Sequence, residues 1–183
     1  ACSDFCIELG INVPTGKDSM SMKQKYPKQE VISPGTVIIS ATAHTNDFRK
    51  TVEPYLIDNN SSLYYINMSS CIYNLGGSAF FQSNNKIGTK CSDITSSKNF
   101  KHIFNSIQIA IKKGFIYSGH DISSGGLITC LLEMCFVSDG LGLNINLSAN
   151  KEDDIIKLLF SENHGIIFQA DEKIENYLNS KNV

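Results

Sequence analysis

An amphipathic helix is the sequence feature that most constrains how this chain can fold. Apolar residues recur every three or four positions, at Phe100, Ile103, Phe104, Ile107, Ala110 and Ile111. Two lysines and Gly114 follow this stripe, which is a composition typical of a helix C-terminus. Because a helix with one apolar stripe is stable only when the stripe is covered, the chain is expected to build a layered core around it.

Strand and helix signals alternate along the rest of the chain. β-branched residues or apolar alternation predict strands at residues 11–13, 35–43, 62–68, 115–118, 141–147 and 165–170. Further helices are predicted at residues 1–10, 127–137 and 151–160, and residues 127–137 are so apolar that burial on most sides is expected. This order predicts an α+β fold (α/β layers), with a mixed sheet and helices packed on one of its faces.

Composition excludes several classes of protein. The 183 residues carry 16 Lys plus Arg against 18 Asp plus Glu, a formal charge of −2, so no positive field favours nucleic acid as a partner. No apolar run reaches the roughly 20 residues that span a membrane. The six cysteines form no CxxC pair and lie at no zinc-ligand spacing from histidine, so reduced thiols are expected. We therefore expect a cytoplasmic protein with neither nucleic acid nor membrane as its partner.

A polar turn near the start of the chain is the first candidate site. It contains Gly16, Lys17, Asp18, Ser19 and Ser21. Glycine lets the backbone approach an anion, lysine neutralises the anion, aspartate is a hard oxygen ligand for Mg²⁺, and the serines can donate to phosphate oxygens. The turn is not a Walker A loop, because the GxxxxGK[ST] spacing is missing. A solvated turn capped by its own aspartate and serines would explain the same residues.

The second candidate site is the segment 119–126, which reads GHDISSGG and precedes the most apolar helix. The free N–H groups at that helix start would favour an anion, with Asp121 bridging to it through Mg²⁺ and Ser123 donating to it directly. Simple N-capping by Asp121 or Ser123, with Gly125 and Gly126 serving close packing, is the alternative interpretation. His120 is expected to be a hydrogen-bonded structural residue.

Two further segments are ambiguous. A glycine pair, Gly76 and Gly77, precedes a predicted helix, and a tight strand-to-helix turn is the favoured interpretation. Residues 161–164, which read SENH, lie between a helix and a strand. They could reach into a site or form a capping turn.

Five motifs occur in a fixed order: GINVPTGKDSMSM from Gly10, SPGT from Ser33, LGGSA from Leu75, GHDISSGGL from Gly119 and LFSE from Leu159. Together they resemble the phosphoribosylformylglycinamidine synthase family of purine biosynthesis, in its large single-chain form. The GKDSMSM motif is highly specific for that family. The HDxSxGGL motif is shared more widely with relatives of aminoimidazole ribonucleotide synthetase.

The resemblance implies a ligase that uses ATP, Mg²⁺ and glutamine-derived ammonia to convert formylglycinamide ribonucleotide into the amidine. It also implies that the chain is part of the second synthetase half, with the remaining synthetase and glutaminase domains of the same protein as its partners. Residues 1–22 would be the tail of the preceding synthetase N-terminal-like subdomain. Residues 23–183 would form most of an aminoimidazole ribonucleotide synthetase C-terminal-like subdomain that is incomplete at its C-terminus.

The resemblance also suggests roles for the candidate residues. The first polar turn would approach phosphates and substrate, with Asp18 as a metal ligand; Asp121 would bind Mg²⁺ and Ser123 would contact the nucleotide, at a site that in the family is thought to be structural. The family's catalytic histidine would lie upstream, so no catalytic residue is assigned and the chain alone is expected to be inactive. Two alternatives stay open: another ATP-binding enzyme of the same superfamily, and a non-catalytic assembly module with structural glycine loops.

Overall fold

The computed structural model describes residues 2–19, 22–58, 60–69, 72–148, 150 and 152–183. The chain divides into two units, one ending at Phe48 and the other starting at Arg49. The first unit contains α1 (Cys2–Leu9), β1 (Lys23–Tyr26) and β2 (Gln29–Ile32). The second contains β3 (Ser62–Asn67), α2 (Ala79–Ser83), α3 (Ser97–Lys112), β4 (Ile116–Asp121), α4 (Gly126–Phe136), α5 (Ile155–Phe160), β5 (Gly165–Ala170) and α6 (Lys173–Asn179). Among the helices in these ranges, none has the length and apolar character that a membrane crossing requires.

Helix α1 confirms the helix predicted for residues 1–10 across its described part. Gly10 ends it in the left-handed conformation, with φ of 77°. The Gly10 N–H donates to the Ile7 carbonyl at 3.0 Å, and the Ile11 N–H donates to the Cys6 carbonyl at 2.9 Å. These bonds satisfy carbonyls that the helix end would otherwise leave unpaired.

The strands of the first unit differ from the prediction. Strands β1 and β2 form an antiparallel hairpin, with Lys23 opposite Ile32, that the sequence did not indicate. The strands predicted at residues 11–13 and 35–43 are wrong, because both segments are irregular. Ile38 is 87% exposed. β-branched residues favour a strand only where a partner strand and a covered face are available, and neither is present around Ile38 in the described part of this unit.

A three-stranded antiparallel sheet forms the centre of the second unit, in the order β3-β5-β4. Strand β5 lies between the other two: Asn67 of β3 pairs with Gly165, and Asp121 of β4 pairs with Ile166. The strands predicted at residues 62–68, 115–118 and 165–170 are thus confirmed, and the fold is α+β. The sheet is antiparallel rather than mixed, with one parallel bridge between Glu53 and Ser118 beside it.

Helices cover both faces of this sheet, which differs from the expected one-sided arrangement. Phe168 packs into one cluster with residues of α3 and α6, whereas its neighbour Ile167 packs into a second cluster with residues of α4 and α5. Neighbouring strand residues point to opposite faces, so a strand that is apolar at both positions needs a layer on each side. Phe168 is fully buried and Ile167 is 1% exposed.

The helix predicted from the apolar stripe is confirmed as α3. Ser96 caps its start by accepting a hydrogen bond from the Asn99 N–H at 3.1 Å. Gly114 follows its end with φ of 74°. Ile103, Ile107 and Ala110 of the stripe are buried in the core that α3 shares with α6.

Two predictions around α4 and α5 need correction. Residues 141–147, predicted as a strand, are irregular. Helix α5 is shorter than predicted because Asp154 caps it, accepting from the Ile156 N–H at 3.0 Å. Helix α4 is confirmed, but its outward side is not covered within the described residues, since Phe136 is 74% exposed.

Candidate functional site

A cavity of about 430 Å³ lies within the second unit. Four segments that are distant in sequence meet around it: the end of β4 with the loop that follows, the glycine loop before α2, the loop between α2 and α3, and the segment between α5 and β5. The described residues that line it are Asn74, Gly76, Gly77, Ser78, Cys91, Ser92, Asp121, Ile122, Ser123, Ser124, Glu162 and His164. The cavity is within the size range of sites that bind small molecules.

The end of β4 and the loop after it bring the two predicted residues Asp121 and Ser123 to this cavity. Ile122 between them points into the core and is 5% exposed, and its N–H donates to the Gly165 carbonyl at 2.9 Å. Burial of the middle residue anchors the loop and leaves its polar neighbours at the cavity. The Asp121 side chain is 76% exposed, so its carboxylate is open to a cation.

His120 is held by its own neighbours, as expected for a structural histidine. Its Nδ1 atom lies 2.7 Å from the Asp121 carbonyl oxygen, and its Nε2 atom lies 3.4 Å from a Glu133 carboxylate oxygen. It does not line the cavity.

The glycine loop before α2 is a tight turn, as predicted, and it also forms a wall of the cavity. The Gly76 N–H donates to the Lys90 carbonyl and the Gly77 N–H donates to the Ile87 carbonyl, each at 2.7 Å. Ser78 is the N-cap of α2 and accepts from the Phe81 N–H at 3.3 Å. A Cβ atom at Gly76 would collide with the Lys90 carbonyl group, so close backbone approach requires glycine there.

Glu162 joins the two loops, a role that the sequence did not assign to it. One carboxylate oxygen, Oε1, accepts from the Ala79 N–H at 2.8 Å and from the Gly125 N–H at 2.9 Å. The expectation that N–H groups before α4 would be free for a bound anion is therefore wrong for Gly125. It is also wrong for Gly126, whose N–H donates to the Ser123 carbonyl at 3.1 Å. Neither Asp121 nor Ser123 is the N-cap of α4; Gly125 is.

The segment that carries Glu162 is fixed by buried hydrogen bonds. Ser161 and Asn163 are each 2% exposed, and the Ser161 hydroxyl donates to Asn163 Oδ1 at 2.8 Å. The Ser92 hydroxyl donates to the same oxygen at 2.9 Å, and Asn163 Nδ2 donates to the Ile72 carbonyl at 3.3 Å. Because neighbouring residues of an extended chain point in opposite directions, burial of Ser161 and Asn163 places Glu162 and His164 at the cavity.

The charges of the cavity are negative. Its described lining contains the carboxylates of Asp121 and Glu162 and neither lysine nor arginine. Cys130 lies nearby in the core at 2% exposure, and burial, followed by the Asp121 and Glu133 carboxylates, raises the pKa of its thiol to about 12. Cys130 is therefore a neutral core residue rather than a nucleophile or metal ligand.

The first polar turn lies in the other unit. Lys17, Asp18 and Ser19 line a cavity of about 260 Å³ with residues 33–36 and Ile38. Lys17 Nζ donates to the Asp18 carbonyl at 3.0 Å. Gly16 is exposed with no atom within 4 Å of an added Cβ, and Ser21 lies outside the described residues.

Among the described residues, the structure contains no group of three or more His, Cys, Asp or Glu side chains arranged to hold a metal.

Comparison with known families finds a match for most of the second unit. Residues 68–178 match the profile described as AIR synthase related protein, C-terminal domain, which covers more than half of the chain. The chain belongs to this family. Residues 1–44 match the FGAR-AT PurM_N-like domain. Asp121, Ser123 and Glu162 thus lie in the AIR synthase-related domain, whereas the first polar turn lies in the PurM_N-like match.

Two curated relatives match nearly the whole chain. A probable chloroplastic/mitochondrial phosphoribosylformylglycinamidine synthase of Arabidopsis thaliana is 36% identical over 171 residues, which is 92% of this chain. The phosphoribosylformylglycinamidine synthase of Homo sapiens is 35% identical over 166 residues, which is 90% of this chain. The matches span 12% of the length of each relative. Among solved structures, T. maritima PurL complexed with ATP matches 72% of this chain and 21% of that chain, with 12% identity and a TM-score of 0.47.

Proposed function

We propose that the chain is part of a phosphoribosylformylglycinamidine synthase and that its AIR synthase-related domain holds Mg·ATP or a related Mg·nucleotide in the cavity beside Asp121. The observation that carries this proposal is the convergence of Asp121, Ser123 and the Gly76–Gly77 loop on one cavity of about 430 Å³. The names of the two curated relatives support the activity, and the family match supports the domain.

The charges favour a nucleotide that arrives with its metal. A bare polyphosphate would meet two carboxylates and no lysine or arginine among the described lining residues. Mg²⁺ bound to the phosphates reverses this repulsion, because it binds through one or two carboxylates and keeps several waters and phosphate oxygens as its other ligands. One exposed carboxylate, that of Asp121, fits this requirement, and Ser123 is close enough in the loop to donate to a phosphate oxygen.

The first polar turn has a separate proposed role. Gly16, Lys17, Ser19 and Ser21 would contact phosphates or substrate, and Asp18 would bind a second Mg²⁺. The position of Lys17, Asp18 and Ser19 around one cavity supports this assignment for those three residues. The division of the chain into residues 1–22 and 23–183 stays a prediction.

The whole protein is proposed to convert formylglycinamide ribonucleotide into the amidine with ATP and glutamine-derived ammonia. Its remaining synthetase and glutaminase domains would be the partners of this chain, in the cytoplasm. The proposed role of the chain's own residues is to bind and orient the nucleotide; no catalytic residue is proposed here.

Hydrogen exchange on the protein that carries this chain tests the proposal. We expect Mg·ATP to protect amides of residues 119–127, and ATP with excess EDTA not to. Asp121→Asn and Ser123→Ala should both raise the Mg·ATP concentration that gives half-maximal protection. For Asp121→Asn we expect an increase of about tenfold or more, which corresponds to the loss of one ionic contact. Asp139→Asn is the matched control, because Asp139 is an exposed aspartate on a turn that does not line the cavity.

Two outcomes would contradict the proposal. One is the absence of protection at residues 119–127 when the protein is saturated with Mg·ATP. The other is equal protection in the wild type and Asp121→Asn. The first result would favour the alternative of a non-catalytic module with structural glycine loops, and the second would remove Asp121 from the proposed metal site.

A further inference from the structure

Glu162, the last residue of the LFSE motif, makes a contact that the motif did not predict. Its Oε1 atom accepts hydrogen bonds from two loops that lie 83 and 37 residues away in sequence, one at Ala79 and one at Gly125. Each of these loops forms a wall of the cavity beside Asp121. A single oxygen atom thus links two walls of the proposed nucleotide site.

The geometry around Glu162 leaves it little freedom. Its neighbours Ser161 and Asn163 are buried and joined by a hydrogen bond of 2.8 Å. The start of α4 rests on the same segment, because a Cβ atom at Gly126 would lie 2.7 Å from the Ser161 carbonyl oxygen. The backbone around Glu162 is therefore restricted by the Ser161–Asn163 hydrogen bond and by the close approach of Gly126. Its carboxylate is held in one position, and the two loops are positioned by their hydrogen bonds to it.

The two N–H groups also explain why a carboxylate suits this position. Ala79 is the first residue of α2 and Gly125 is the N-cap of α4, so both donors lie at helix starts, where the helix dipole favours negative charge. Hydrogen bonds from backbone N–H groups to a carboxylate are stronger than those to a neutral acceptor. The chain thus supplies its own anion at these two positions, and a bound nucleotide must use other donors.

We propose that Glu162 is a positioning residue: it sets the spacing between the Gly76–Ser78 loop and the Ser123–Gly125 loop, and through that spacing it determines the affinity of the cavity for Mg·nucleotide. This inference rests on the proposed function. Glu162 acts through the loops, so its contribution depends mainly on an acceptor oxygen at the right reach, and its charge adds a smaller part.

Three substitutions of Glu162 separate the effect of side-chain length on nucleotide binding from the effect of side-chain charge. Glu162→Gln keeps a side-chain oxygen at the same distance from the backbone, and we expect the nucleotide midpoint to stay within about threefold of the wild type, since the neutral acceptor is weaker. Glu162→Ala removes the oxygen and should weaken binding by about tenfold or more, because two backbone donors lose their partner. Glu162→Asp is one methylene shorter, so we expect that it does not reach both donors and that it resembles the alanine variant despite its charge.

The experiment uses hydrogen exchange on the protein that carries this chain, titrated with Mg·ATP, with the amides of Ala79 and Gly125 as a second readout. In Glu162→Ala we expect both amides to exchange faster without nucleotide and the midpoint for protection of residues 119–127 to rise. Glu172→Ala is the matched control, because Glu172 is exposed at the start of α6 and does not line the cavity. If Glu162→Ala does not fold, the comparison of Glu162→Asp with Glu162→Gln decides.

The outcomes distinguish this inference from the proposed function. Protection in the wild type with an unchanged midpoint in Glu162→Ala, or in Glu162→Asp, overturns the positioning role alone. An equal loss in Glu162→Gln and Glu162→Ala also overturns it, because charge and not reach would then be decisive. Absence of protection in the wild type overturns the proposed function and this inference with it.

Discussion

Substitution of Gly126 by alanine tests how the cavity is built. Gly126 begins α4 with φ of 76°, and an added Cβ would lie 2.7 Å from the carbonyl oxygens of Leu159 and Ser161. Real Cβ atoms do not approach backbone oxygens so closely, so either α4 or the segment that carries Glu162 must move. We expect Gly126→Ala to destabilise the chain and to increase the distance between the start of α4 and the segment that carries Glu162.

The magnitude follows from two contributions. A non-glycine residue at positive φ costs about 1 kcal/mol, and forcing a methyl group into occupied space costs about 2 kcal/mol. The expected loss in the free energy of unfolding is therefore about 3 kcal/mol, or about 1.5 M in the urea midpoint at a slope of about 2 kcal/mol/M.

Two other glycines provide matched controls. Gly140 has nearly the same φ, 73°, but no atom within 4 Å of an added Cβ, and Gly142 has neither strain nor a neighbour. Gly140→Ala should cost about 1 kcal/mol or less, and Gly142→Ala should be neutral or stabilising by about 0.5 kcal/mol, because alanine restricts the unfolded chain.

Urea denaturation of the chain, followed by circular dichroism of the helices, measures all three variants. The expected order of stability is Gly142→Ala, then Gly140→Ala, then Gly126→Ala. If Gly126→Ala costs no more than Gly140→Ala, the close approach of α4 to residues 159–161 does not exist in solution.

The remaining predictions concern the cysteines, a buried glutamine and the activity of the chain. Mass spectrometry after brief iodoacetamide treatment at pH 8 should find Cys91, which is exposed, modified before Cys130. Since burial raises the pKa of the Cys130 thiol to about 12, the contribution of this thiol to stability should be constant below the unfolded-state pKa of about 8.5 and fall as pH rises above it, which urea denaturation at pH 8 and pH 10 measures. Early modification of Cys130 would contradict its burial. Gln169→Ala should cost about 3 kcal/mol in urea denaturation, because Gln169 accepts from the Ser118 hydroxyl at 2.9 Å and the Ile57 N–H at 2.7 Å; a cost below about 1 kcal/mol would show that these partners are satisfied otherwise. The 183-residue chain alone should form no amidine from ATP, ammonia and formylglycinamide ribonucleotide, and turnover would refute this.

Local patterns with strong capping and periodicity predicted their elements well. Helix α3 has a clear apolar stripe, a serine at its start and a glycine after its end, and it forms where expected. Strands β3 and β5 are apolar runs that pair with each other. In contrast, residues 35–43 and 141–147 have the composition of strands but no strand partner in the described structure, and propensity cannot supply one.

The candidate site was predictable in part. Asp121 and Ser123 could be singled out because a carboxylate and a hydroxyl before a helix start can hold an anion with its metal, and both line the cavity. The meeting of this turn with Gly76 and Gly77 depends on long-range contacts, such as those of Glu162, that no local pattern contains. For residues 161–164 the sequence left two interpretations open, a capping turn or a segment that reaches into a site. The link through Glu162 could not be predicted, because its two hydrogen-bond donors lie 83 and 37 residues away.

The most direct test of the account is a crystal structure of the protein that carries this chain, with a nucleotide and Mn²⁺ in place of Mg²⁺. The account predicts an anomalous peak about 2.2 Å from an Asp121 carboxylate oxygen, with the phosphates in the cavity between Ser123 and the Gly76–Gly77 loop. A fully occupied nucleotide elsewhere in the protein, with this cavity holding only water, would contradict it.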